Sequence, residues 1–387
     1  MKMNEAKWVE IDLDALEHNM RQIRKKVGPE RKIAAVIKAN GYGHGALEIA
    51  DTLLNGGADQ FAVSFLAEAL ELRKKYPDID ILVLGSMPDA VAELATAADL
   101  QQTVASYDRA KAISDAAVKL GKTARIHIKI DAGMTRLGFQ MTEVSIADVI
   151  GISRLPNLEL EGIFTHFATA DETDKTYADL QFSRYTLFLS ELEAKGLNFK
   201  LRHTSNSAAI MEMPQTYLDM VRPGIVLYGI YPSDEVDKNE LDIKPVMTFK
   251  ARISFVKTLL EDSGVSYGRR YIAPKGSIIA TIPVGYADGF TRCMSGSAEM
   301  IYKGKMLPVR GNICMDQCML EVSEVGGAEV GDEVIIIGTD AGSTILADDL
   351  GKKYGTVGYE VVCGINRRVP RIYIKNGVAI KKVNYLE

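Results

Sequence analysis

Ile33-Ala34-Ala35-Val36-Ile37-Lys38-Ala39-Asn40-Gly41-Tyr42-Gly43-His44-Gly45 is the stretch on which the fold turns. Its first five residues form a short apolar run that leads into a glycine-rich segment, which reads as a buried strand. The strand ends by presenting a lysine where the glycine-rich loop opens. In parallel α/β barrels the active site lies at the C-terminal ends of the strands. An amine there, half out of the core, loses its proton more readily than a surface lysine. That is what Schiff-base chemistry needs.

Outward from this stretch, short apolar strands alternate with helical patterns up to about residue 230. The expected strands are 33–37, 61–64, 81–85, 102–105, 124–130, 159–165, 201–204 and 219–222. Between them lie helical segments near 14–27, 44–55, 66–76, 88–98, 107–120, 142–154, 174–195 and 207–213, with Asp14 the expected cap of the first. Such alternation predicts a parallel sheet, and eight units in about 200 residues is the count of a (β/α)8 TIM-like barrel. After residue 240 the pattern changes to short β-rich runs punctuated by Gly and Pro, with one helix expected near 346–354. This part reads as a mostly β C-terminal domain. The run Trp8-Val9-Glu10-Ile11 is expected to be a strand that joins it. The expected domains are therefore 12–235, the barrel, and 1–11 with 236–387, the β-rich part.

The chain has 387 residues, enough for two domains with a sizeable core. Its composition, 47% apolar and 25% charged, is that of an ordinary globular protein. A formal charge of −5 gives no basic footprint for nucleic acid. Neither a signal-peptide core nor an uncharged apolar run of membrane-spanning length is visible, so a cytoplasmic location and no membrane partner are expected. Four cysteines in so long a chain do not make a disulfide framework. Cys314 and Cys318, in C-x3-C spacing, lack a nearby histidine pair, and no metal is expected.

Phosphate-binding loops of barrels follow the seventh and eighth strands. Here those loops are His203-Thr204-Ser205-Asn206-Ser207, opening a helix, and Arg222-Pro223-Gly224-Ile225. Backbone N–H groups at such ends, with a serine hydroxyl, suit a dianion. Taken singly, Asn206 or Ser207 is as well explained as an N-cap and Gly224 as a turn. Two such segments in the two expected loops, with a lysine ending another strand, shift the balance toward a bound phosphate.

The sequence resembles the alanine racemases, pyridoxal-phosphate enzymes built from a barrel and a β domain. The matching segments are Ala35–Gly45, Lys129-Ile130-Asp131-Ala132-Gly133-Met134-Thr135-Arg136-Leu137-Gly138-Phe139, Thr165-His166-Phe167-Ala168, His203–Ala208 and Val221–Ile225. In the second half they are Ser266-Tyr267-Gly268, Gly285-Tyr286-Ala287-Asp288-Gly289 and Cys314-Met315-Asp316-Gln317. The resemblance implies that Lys38 carries pyridoxal 5'-phosphate and is one of two acid/base groups. Tyr267 is implied as the second, on the opposite face, with His166 as its neighbour and Arg222 behind. Arg222 is implied to face the cofactor's pyridine nitrogen. Tyr42, Asn206, Ser207, Gly224, Ile225 and Tyr359 are implied around the phosphate. Arg136, with the backbone of Met315 helping, is implied to hold the substrate carboxylate or the cofactor phenolate, and Lys129 and Asp316 to support them. In some relatives the lysine matching Lys129 is carboxylated.

The implied reaction is interconversion of L- and D-alanine, supplying D-alanine for peptidoglycan, in a head-to-tail homodimer where Tyr267 reaches the other subunit's site. The rivals are a serine or broad-specificity racemase or a basic amino-acid decarboxylase of the same architecture, and a pyridoxal-phosphate carrier. Two departures stand out: Gly41 where many relatives have alanine, and Asn312 where arginine is common. Neither is expected to touch a catalytic group.

Overall fold

The computed structural model describes residues 5–386; residues 1–4 and 387 of the expected β-rich domain lie outside them. The chain forms two compact units. One contains the described residues up to Leu16, Tyr42–Gly45 and those from Lys244 onward; the other contains Glu17–Gly41 and Ala46–Ile243.

The second of these units is a barrel. Among the described residues it has eight strands, all paired in parallel: Lys32–Val36, Gln60–Val63, Ile81–Val83, Gln101–Val104, Ala124–Lys129, Leu158–Phe164, Leu201–His203 and Met220–Val221. Several of the strands, Lys32–Val36 and Ile81–Val83 among them, are short apolar runs because helices cover them outside and side chains fill them inside. Ile33, Ala34, Ala35 and Ile37 have no exposed surface. Regular pairing runs from Leu201–His203 around to Lys32–Val36 and on to Met220–Val221. The remaining seam closes by individual hydrogen bonds: Arg222 N donates to Ser205 O at 3.0 Å and Asp219 N to Arg202 O at 3.0 Å. The Arg202 guanidinium adds a bond of 2.7 Å to the Asp219 carboxylate.

The barrel interior is unusually polar for a fold whose centre is normally filled by branched apolar side chains. Gln60, Gln101, His127, Glu161 and His203 are all buried. Gln60 Nε2 donates to Gln101 Oε1 at 3.0 Å, and Gln101 Nε2 to Glu161 Oε2 at 2.9 Å. These residues come from the second, fourth and sixth strands, so they meet across the interior and not along neighbouring strands.

The other unit is built on one extended sheet. In it the strand Lys7–Asp12 pairs antiparallel with Met247–Arg252 and parallel with Arg371–Lys375. The N-terminal run thus pairs as expected from sequence. Trp8 is fully buried, and Arg252 stacks over its ring at 5.1 Å. The expected helix is present at Ala347–Tyr354, and a second, Gly358–Gly364, follows it. That one was not legible, because seven residues holding Gly358, Val361, Val362 and Gly364 carry no helical preference.

The first helix, Leu13–Val27, is not capped by Asp14. The cap is Asp12, whose Oδ1 accepts from Asp14 N at 2.8 Å and Ala15 N at 2.9 Å. Asp14 faces Lys375 Nζ at 2.9 Å and accepts from Asn376 N. One residue separates the two readings, and only the strand end at Asp12 decides between them. Asp12→Ala is expected to lower the unfolding free energy by about 1 kcal/mol, read in a urea titration; an unchanged midpoint would refute the cap.

Candidate active site

Lys38 opens an unusual turn. Ala39, Asn40, Gly41 and Tyr42 have φ of 52°, 53°, 62° and 52°. Left-handed backbone costs a non-glycine residue roughly 1–2 kcal/mol, so something must hold it. Gly41 N donates back to Ile37 O at 2.9 Å. Asn40 Oδ1 accepts from Ala46 N at 3.0 Å. Glu68 accepts from Ala39 N at 2.6 Å and, through its other oxygen, from Ser64 N and Phe65 N. Sequence reading missed Glu68; its place as the third residue of the Leu66–Lys75 helix was the available signal. A Cβ on Gly41 would lie 2.7 Å from Ile49 Cδ1, which accounts for glycine here.

Beyond the turn, Tyr42 is buried with its ring 6.3 Å from that of Tyr359. Gly43 is required at φ +82°, since a Cβ would come within 2.3 Å of Val362 O. Arg371 Nε donates to Gly43 O and the Tyr373 hydroxyl to His44 O. The Tyr42–Gly45 segment is thereby fastened to the β-rich unit.

Arg222 follows the last barrel strand and is almost wholly buried. It donates to Thr165 O at 2.8 Å, Thr204 O at 3.1 Å and His203 Nδ1 at 2.9 Å, and lies 3.3 Å from His166 Nδ1. Burial pushes the guanidinium down to about 10, still well above neutral pH, so it remains a cation. Both histidines are driven well below the ordinary imidazole range, first by burial and then by the Arg222 charge. They are neutral, as acceptors beside a donor-only cation must be.

The two loops expected at a phosphate are joined. Gly224 N donates to Ser207 Oγ at 2.9 Å, which leaves the serine hydroxyl proton to point elsewhere. Asn206 caps the short helix Ser207–Glu212, its Oδ1 accepting from Ala209 N at 3.0 Å. Ile225 opens the turn Ile225–Tyr228, where first-turn amides have no partner within the turn.

Lys129 ends its strand, buried, donating to Ile130 O at 3.0 Å above the Phe164 ring. Burial, helped by the Arg222 and Arg136 charges and opposed by Asp131, lowers its amine to about 7. Arg136 is exposed on the loop that returns to Phe139. Asp131 Oδ1 shapes that loop by accepting from Gly133 N and Thr135 N, each at 3.0 Å.

The remaining residues lie in the β-rich unit. Tyr267 is 68% exposed. Its loop is tense: Ser266, Gly268 and Arg269 have φ of 63°, 73° and 46°. Asn312 Nδ2 donates to Tyr267 O at 2.6 Å, and Ser266 Oγ to Asn312 O. The expectation that Asn312 touches no candidate catalytic group is therefore wrong, because it clamps the backbone that carries Tyr267. Tyr267 and Met315 line one cleft of about 720 Å³. The Gly285–Gly289 loop supports Met315: Ala287 N donates to Met315 O at 3.0 Å, and a Cβ on Gly285 would sit 2.2 Å from Cys314 O. Asp316 is braced by Arg368 at 2.7 Å.

A barrel with a lysine, a buried arginine and two hydrogen-bonded loops at its strand ends is arranged as small-molecule enzymes of this architecture are. A family model described as the alanine racemase N-terminal domain matches residues 11–232, and one described as the C-terminal domain matches 246–373. An alanine racemase of Clostridium perfringens is 50% identical over 379 residues, 98% of each chain. The solved alanine racemase of Clostridium difficile 630 aligns over the whole of both chains with a TM-score of 0.96 and 42% identity. That of Bacillus anthracis, with bound L-Ala-P, covers 100% of this chain and 99% of its own, with a TM-score of 0.93 and 35% identity. The chain belongs to the alanine racemase family.

Lys129 gives a prediction with a definite sign. Its amine titrates near 7 in the folded protein against an ordinary 10.5. Between those values the unfolded chain binds more protons, so stability should rise with pH across that window. Lys129→Met should flatten the rise in denaturant titrations at stepped pH. An equal slope in both proteins would show that Lys129 is not the group responsible.

Proposed function

We propose that this chain interconverts L-alanine and D-alanine with pyridoxal 5'-phosphate, using two opposed proton carriers, Lys38 and Tyr267. One observation carries the reading. Arg222 is a buried cation whose hydrogen-bond partners among the described residues are carbonyls and neutral imidazoles, with no carboxylate. Such a group donates a hydrogen bond to a ring nitrogen but does not hand over its proton.

The donors present fit the cofactor. Ser207 has its oxygen occupied by Gly224 N and its proton to give. Asn206, Gly224 and Ile225 provide backbone around it, and the phenols of Tyr42 and Tyr359 supply two further hydroxyls. Lys38 is the amine that would carry the carbonyl end. When bound, the cofactor supplies the electron sink for charge left at the substrate Cα. Arg222, which does not yield its proton, would keep that sink weak, favouring prompt return of a proton to Cα over transamination. Lys38 Nζ takes or returns the Cα proton on one face, and Tyr267 Oη does so on the other. A single carrier would return the proton to the side it left. His166, accepting at Nδ1, keeps its proton on Nε2 as the donor it offers the phenol. Arg136 and the backbone of Met315 hold the substrate carboxylate. Lys129, its amine lowered by burial to about 7, supports Arg136, and Asp316 supports the Met315 loop.

The barrel, residues 12–235, is the cofactor domain in this reading, and 1–11 with 236–387 the β-rich domain. The exposure of Tyr267 supports a head-to-tail homodimer in which each β-rich domain completes the other subunit's site. A net charge of −5 speaks against nucleic-acid partners. Among the described residues no helix is long and apolar enough to cross a membrane, in keeping with a cytoplasmic source of D-alanine for peptidoglycan.

Borohydride reduction of the loaded enzyme should label Lys38. Tyr267→Phe should then slow racemisation in both directions by about 100-fold or more while labelling persists. Full turnover in that variant would refute the second carrier; label on another lysine would refute the first.

A further inference from the structure

The hydrogen bond from Arg222 to His203 does not end there. His203 Nε2 lies 2.9 Å from His127 Nδ1, both rings fully buried. His127 Nε2 in turn faces Glu161 Oε2 at 3.8 Å, an electrostatic contact beyond hydrogen-bond distance. These residues come from the seventh, fifth and sixth barrel strands, so the line runs through the barrel interior. Glu161 is also held by Gln101 at 2.9 Å and faces Arg125 at 3.8 Å.

The protons on this line can be placed by elimination. Arg222 only donates, so His203 must accept at Nδ1 and carry its proton on Nε2. That N–H points at His127 Nδ1, which must accept in turn. His127 then carries its proton on Nε2, toward the Glu161 carboxylate. A charged His127 would set two N–H groups against each other at 2.9 Å. Burial keeps it neutral, with Glu161 opposing and Arg125 adding to the effect. Both imidazole dipoles therefore point the same way, lone pairs toward the cation and N–H groups toward the anion. Turning either ring over would face a proton toward Arg222 or leave a buried acceptor empty.

The backbone is shaped to seat this histidine. A Cβ at Gly162 would lie 2.3 Å from His127 Nδ1 and 2.5 Å from its Cε1. The strand pairing also shifts register between Ile126 and His127, a bulge that re-aims the side chain. We propose that His127 is a positioning residue for racemisation: by accepting from His203, with Glu161 as the anionic terminus, it fixes the His203 tautomer that holds the Arg222 guanidinium in place. This rests on the role given to Arg222 above.

The chain has five histidines, so 15N-histidine labelling gives an assignable spectrum. In the parent, with and without cofactor, Nδ1 of both His203 and His127 should resonate as unprotonated acceptors and Nε2 of both as protonated. His127→Asn offers an amide oxygen to His203 Nε2–H; His127→Leu fills space without an acceptor. The Asn variant should keep the His203 tautomer and a kcat within about threefold of the parent. The Leu variant should lose that tautomer and about tenfold in kcat, with KM changed much less. A protonated His203 Nδ1 in the parent overturns the proposal. So does a Leu variant that keeps tautomer and kcat, or equal losses in both variants with the tautomer intact. A parent without racemase activity but with the expected tautomers would instead refute the function of the site and leave the hydrogen-bond line standing.

Discussion

The constraint on which this site depends is the burial of one guanidinium. Arg222 has donors and no acceptor, and it sits where water does not reach. Every group that touches it must accept. The structure answers with two backbone carbonyls and two imidazoles, and the charge of Arg222 itself helps keep those imidazoles neutral. A buried cation without a direct carboxylate is costly unless its hydrogen bonds are complete. Here the compensation is spread: carbonyls at the strand ends, then a line of neutral rings toward a carboxylate deep in the barrel.

That arrangement bears on where protons can move. If Arg222 and the histidines behind it are fixed in charge, proton transfer falls to groups outside the cluster. The two proposed carriers both sit on unusual backbone. Lys38 is followed by five residues of positive φ, three of them not glycine. Tyr267 is preceded by one and followed by two. Strain of this kind persists only where neighbours over-determine it. Glu68 and Asn40 do so for the first turn, and Asn312 and Ser266 for the second. The inference runs from the observed backbone to a functional site, and both turns coincide with the residues singled out on chemical grounds.

Much of this was legible in the sequence. The expected strands fall within a residue or two of observed ones; Ile33–Ile37 and Ile81–Leu84 were clearest, because strands buried on both faces read as near-continuous apolar stretches. Lys38, His166 and Arg222 were legible as residues at strand ends. What was hidden depends on partners far along the chain. His127 reads as one more strand residue in Ala-Arg-Ile-His-Ile-Lys; only the fold brings His203, 76 positions later, against it. Asn312 reads as a departure from the family, and its bond to Tyr267 spans 45 positions. The cap at Asp12 was missed because two aspartates two residues apart give the same local signal.

The claim at the centre is that Cα protons are exchanged by two carriers on opposite faces. Racemisation of L-alanine in D2O, stopped at low conversion, tests it most directly. The account predicts that the D-alanine formed carries deuterium at Cα, because the proton delivered comes from a different group than the one that took the original. D-alanine that retains the original protium would mean one carrier serving both faces, and would contradict it.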